Sequence, residues 1–167
     1  MNLFELGKKY DIDVKSKYLG YEERAAAAYQ LFDELIKVES VPTDTMLAIV
    51  RSIDSKCVKE ENGIKYLDRV IRKLTLTTAF VSRVTDLDVR PIGYKDNDDD
   101  DSRSYMVPAY DEICRIGIIG YLRVRYGDII YRFDDVVALE EMAFEDKQKA
   151  IKRVIVVEEK KDKQEES

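Results

Sequence analysis

The sequence predicts a mainly α chain, a single-domain bundle of four to five helices with a small β-hairpin or strand element near the C-terminus. Three observations predict it. Apolar residues recur at three- and four-residue steps through 21–38, 43–57 and 63–84, the pattern of helices that bury one face. The apolar fraction is an ordinary 45% although 37% of residues are charged, so a core coexists with a highly ionised surface. Runs of strand length and strand composition stand out only after residue 121. A chain of 167 residues is long enough to hold one core without disulfide or metal support. The domain is read as 1–157, with an acidic loop at 94–104 and a solvated charged tail at 158–167.

Residues 1–10 carry Leu3, Phe4 and Leu6, enough for a short docking helix, and 11–20 read as a polar connector. The next helix, 21–38, turns Ala25, Ala28, Phe32, Leu35 and Ile36 inward. Pro42 breaks it, and Thr43 or Asp44 caps the following helix, whose inner stripe is Leu47, Val50, Ile53 and Cys57. After a turn at 60–63, the longest periodic run, 63–84, is read as the central helix. Ile64, Leu67, Val70, Ile71, Leu74 and Val81 mark its apolar face, with Leu76, Phe80 and Val84 continuing it. Lys65, Arg69, Arg72 and Lys73 mark a basic stripe on another face.

Residues 86–105 interrupt the periodicity with Pro91, Gly93 and the acidic run Asp96, Asp98, Asp99, Asp100, Asp101, where like charges favour a solvated loop. Pro108 suits the first turn of a helix reaching about Tyr121, with Ile113, Ile116, Gly117, Gly120 and Tyr121 inward and both glycines permitting close packing. Two β-rich runs, 122–126 and 129–133, flank Gly127-Asp128 and read as a hairpin, the rival being continued helix. Asp134 or Asp135 caps a last helix to about Arg153, and 154–157 form its end or a separate strand.

The charge is uneven. Residues 1–92 are neutral, whereas 93–105 hold 5 acids against 2 cations, 106–133 hold 3 against 4 and 134–167 hold 11 against 7, giving a net charge of −6. A local basic face is therefore compatible with an acidic total. The absence of Trp and His, with only three Asn and three Gln, fits a hot-adapted protein in which ion pairs gain value and labile amides are avoided. Cys57 and Cys114 are read as buried small hydrophobes, a cross-link between them staying open.

Much chemistry is excluded. Without histidine there is no Ser-His-Asp or Cys-His catalysis and no His-containing zinc site. Two cysteines cannot make a four-cysteine site, and the glycines never assemble a phosphate-binding loop. Asp96, Asp98 and Asp100 alternate as in a calcium loop, but Asp101 and Val107 occupy the positions that need glycine and glutamate. No cofactor or metal is expected. No apolar run reaches the ~18 residues of a membrane span, and no signal-peptide layout is seen, so a cytoplasmic protein is expected, in the host cytoplasm if viral.

Three functional readings follow. The leading one is a non-enzymatic subunit with a protein partner in a larger assembly, a nucleoprotein complex of a thermophilic archaeon or archaeal virus being the specific form, with self-association compatible. Its nucleic-acid contacts are Lys65, Arg69, Arg72, Lys73, Arg123 and Arg125, the last two interleaved with Tyr121, Tyr126 and Tyr131. Against it stands internal pairing of the stripe, Lys65 with Glu61 and Arg72 with Asp68, or cover by the aspartate loop. The second reading is an acidic decoy that binds a basic protein surface, such as that of a nucleic-acid-binding enzyme, through Asp96 and Asp98–Asp101. The third is a Mg²⁺-dependent nuclease: 154–157 followed by Glu158-Glu159-Lys160 resembles the strand plus E-x-K half of a PD-(D/E)xK motif, with Asp128 or Asp134 as the second carboxylate.

Overall fold

A computed structural model describes residues 1–16, 18–38, 40–90 and 103–165, with side chains in the last stretch described for 106–153. The chain is mainly helical, with seven α-helices and one two-stranded antiparallel sheet among the described residues. The acidic run Asp96, Asp98, Asp99, Asp100 and Asp101 lies outside them, as does any cover it gives the basic stripe.

The first helix, α1 (Leu3–Tyr10), starts where Asn2 accepts a hydrogen bond from Phe4 N at 3.0 Å, and it passes directly into a π-helical turn at Asp11–Lys15. The expected connector is thus half helical. Leu3 N donates to Asp88 O and Asp88 N to Met1 O, both at 2.9 Å, which ties the N-terminus to the stretch after the fourth helix. Helix α2 (Tyr21–Asp33) buries Ala28, Leu31 and Phe32 and ends earlier than its periodicity predicts. Beyond it, Leu35 and Ile36 leave helical geometry and bridge to Thr85, with Lys37 N donating to Val84 O at 2.9 Å.

Helix α3 (Thr43–Cys57) buries Met46, Val50, Ile53 and Cys57, the expected stripe apart from Met46 in place of half-buried Leu47. The largest revision follows. Residues 63–84 are not one helix. Strands β1 (Val58–Glu61) and β2 (Ile64–Leu67) pair antiparallel around Asn62-Gly63, whose φ values of 54° and 75° are both positive. An Asn-Gly pair tolerates those angles in a two-residue hairpin turn, and that local preference overrides the helical spacing of Ile64 and Leu67. The helix proper, α4 (Arg69–Val84), begins after Asp68 accepts from Ile71 N at 3.1 Å. It buries Leu76, Phe80, Val81 and Val84, while Ile64 and Val70 of the expected face stay exposed. Thr75 and Thr78 donate to the carbonyls of Ile71 and Leu74, which satisfies their hydroxyls inside the helix.

Helix α5 (Arg103–Ile116) contains Pro108 and stops at Gly117, whose φ of 74° separates it from α6 (Ile118–Arg125). That break explains part of the higher helix count. A side chain at Gly117 or Gly120 would meet open space, so neither glycine serves close packing. The close approach is at Gly7, where a Cβ would overlap the Glu112 carboxylate. No hairpin forms at 122–133. Gly127 instead opens α7 (Gly127–Glu165), because Ile129, Ile130, Phe133 and Val136 repeat at helical steps and are all buried. Residues 154–157 therefore belong to a helix, and the helical backbone continues into the stretch read as a tail. Helix α7 packs on α3 and α6, α4 on α3 and α5, and α1 on α5. Phe80 and Phe133, with ring centroids 4.7 Å apart, join α4 to α7 at the centre.

Candidate functional site

The six cations expected to contact nucleic acid, four on one stripe and two on a second surface, go to different places. Arg72 points into the seam between α3, α4 and α7. Its Nε and Nη2 donate to Asp54 at 2.6 and 3.1 Å, Nη1 donates to Glu141 at 2.8 Å, and Nη2 also reaches Val137 O at 3.1 Å. Its side chain is only 4% exposed. Burial disfavours the charged guanidinium, but the Asp54 and Glu141 contacts more than offset that and hold its pKa above the usual value. Arg72 is a structural ion and is removed from the set of ligand contacts. Its partner is not Asp68, which caps α4 and pairs with Lys59.

Arg69, one turn earlier, is exposed and spans Glu141 at 2.9 Å and Glu145 at 2.7 Å. Arg51 of α3 grips Glu140 with two nitrogens at 2.9 and 3.1 Å. The acids of α7 are thus matched to arginines from α3 and α4, which is how an acidic C-terminal segment docks on a neutral body. Arg125 turns away to Asp33, 3.5 Å distant, and lies over the Tyr29 ring. Beside it Tyr121 is 1% exposed and donates to Asp33 at 2.6 Å; burial first, and that bond second, raise its phenol pKa. Tyr121 is therefore a core residue and presents no stacking surface. Lys65 sits on β2 opposite Glu60, not helically paired with Glu61.

What remains together is a cleft of about 480 Å³ walled by α4, α5, α6 and α7. Arg69, Arg72, Lys73 and Arg123 supply its cations, and Asp134 and Glu141 its carboxylates. Leu76, Phe80, Ile130 and Phe133 supply a buried apolar floor. Lys73 and Arg123 make no ion pair among the described residues. Asp134 has its carboxyl pKa raised by burial and partly lowered again by Arg123. Tyr110 and Cys114, one turn apart on α5, complete the wall; burial, then the adjacent thiol, raise the Tyr110 phenol. Cys114 is an exposed free thiol and Cys57 a buried one, so the expectation of two buried cysteines holds for Cys57 only. Sequence reading missed Tyr110, Cys114 and Asp134 as cleft residues because their helices meet only in three dimensions.

A second groove runs between the hairpin and α7. It is lined by Ile64, Tyr66 and Phe144, with Lys65, Lys149 and Lys152 along it. A third feature is a stripe on α7: Tyr131, Leu139 and Met142 lie on one side of the helix and are 63%, 62% and 61% exposed. Among the described residues no group of three or more acids or thiols is placed to hold a metal ion, and no helix is long and apolar enough to cross a membrane. The strand that a PD-(D/E)xK site needs is absent at 154–157. Comparison with protein-family models, curated proteins and solved structures finds no match to this chain.

Proposed function

We propose that the protein is a non-catalytic interaction subunit of a larger assembly, docked to a protein partner through α7. The observation that carries this reading is the stripe of Tyr131, Leu139 and Met142, three large apolar side chains left more than 60% exposed along one side of a 39-residue helix. Aromatic and methionine side chains exposed together are the composition of interface cores. The composition and the Arg51, Arg69 and Arg72 ion pairs fit a heat-adapted protein, for which we propose a thermophilic archaeon or its virus as source. Affinity purification of the full chain from its source cells tests the proposal. Replacing Tyr131 and Met142 by glutamate is expected to remove the co-purifying proteins without lowering Tm. An unchanged set of partners rejects it.

Nucleic acid as a further partner is favoured by one observation, the groove of Lys65, Tyr66, Lys149 and Lys152 beside α7. Lysines contact phosphates there while Tyr66, 42% exposed, offers a ring for base stacking. Retention of single-stranded oligonucleotide at low salt, lost in Lys65→Glu with Lys152→Glu, is the expected result. No retention by the unmodified chain removes nucleic acid from the reading and leaves the protein partner in place.

A further inference from the structure

Two charged regions flank α4, and only one of them has its charges matched. In the seam toward α3, Arg72 spends four hydrogen bonds on Asp54, Glu141 and Val137 O. In the cleft on the other side, Lys73 and Arg123 stand over apolar side chains without ion-pair partners among the described residues. Of the four cations in the lining, Arg69 and Arg72 are taken by Glu141, Glu145 and Asp54, which leaves Lys73 and Arg123 with one further lining carboxylate, Asp134. A volume of about 480 Å³ falls in the range of small-molecule sites and is recessed between helices.

We infer that this cleft binds a small amphipathic organic anion, its head group between Lys73 and Arg123 and its apolar body over Leu76, Phe80, Ile130 and Phe133. Placing such a body in the cleft takes its apolar surface out of water, and the head group adds counter-charge to two cations that make no ion pair among the described residues. The site is independent of the α7 stripe and stands or falls separately from the assembly reading.

Cys114 is the reporter. It lines the cleft and is exposed, whereas the other cysteine, Cys57, is 3% exposed. The rate of Cys114 alkylation by iodoacetamide is measured with decanoate, monodecyl phosphate, decanol or decyltrimethylammonium, each below its micelle concentration. Either anion is expected to slow alkylation at saturation, and the neutral and cationic chains are expected to do so at least about tenfold less effectively, the loss of one charge-assisted contact. Stronger protection by decanoate assigns a carboxylate head, and stronger protection by the phosphate assigns a phosphate head. In Lys73→Gln with Arg123→Gln the preference for anions disappears while Tm is retained. Equal protection by the cationic chain, no protection by either anion, or protection unchanged in the double variant overturns the inference.

Discussion

Arg72 and Lys73 are adjacent in the chain and meet different surroundings in the fold. The seam that takes Arg72 closes α3, α4 and α7 around it, and each charge there has a partner within 3.1 Å. The cleft that takes Lys73 is apolar at its base, and Lys73 and Arg123 on its rim make no ion pair among the described residues. Four cations at helical spacing look equivalent in a sequence, yet a rotation of about 100° around α4 separates a structural ion from one on the rim of the cleft. Whether a cation faces carboxylates or an empty cleft is decided by which helix packs beside it, here α7, more than 60 residues later.

The largest effect that sharpens this contrast is Arg72→Ala. Removing it leaves Asp54 and Glu141 without their main buried partner and is expected to cost about 3–5 kcal/mol, a fall in Tm on the order of 10 °C. A loss below about 1 kcal/mol in a denaturant titration would show that the seam is no tighter than a surface pair and erase the comparison.

Tyr121 extends the contrast to the other end of the bundle. Tyr121→Phe should lower stability at pH 7 by about 1 kcal/mol, the value of its bond to Asp33. Its phenol pKa is raised in the folded state, so this contribution is complete below the unfolded value of roughly 10 and is lost as pH climbs toward the folded value. The gap between the wild-type chain and Tyr121→Phe should therefore narrow above pH 10. A gap that widens there gives the opposite sign and removes the assignment.

The smallest effects belong to exposed cations. Arg69→Ala should change stability by no more than about 1 kcal/mol, and less in high salt, because its side chain is 71% exposed despite two carboxylate partners. Lys73→Gln should lie within about 0.5 kcal/mol of the parent. Thermal unfolding of both beside Arg72→Ala ranks the three; an Arg69 loss equal to that of Arg72 would make burial irrelevant to the seam.

Helix periodicity made α2, α3 and the second half of α4 legible, because Phe32, Val50, Phe80 and Val84 repeat on the face that is buried. It misled at Ile64 and Leu67, whose helical spacing belongs to the strand that follows the Asn62-Gly63 turn. It also misled at 122–133, where Gly127-Asp128 looked like a hairpin link although Ile129, Ile130 and Phe133 already carried the helical repeat. The cleft was half legible. Lys73 and Arg123 were singled out as cations, but nothing local to either reports that they share a wall with Tyr110 and Asp134. Nor does spacing reveal that Arg72 reaches Glu141, 69 positions away.

Helix α7 also sets a geometry. Its 39 residues span about 58 Å, whereas a compact chain of this length is roughly 40 Å across. The helix is longer than such a globule is wide, yet the turns that wall the cleft, Ile130 to Glu141, are the turns that carry Tyr131, Leu139 and Met142. One element therefore works on two sides, its inner side closing the cleft and its outer side bearing the stripe.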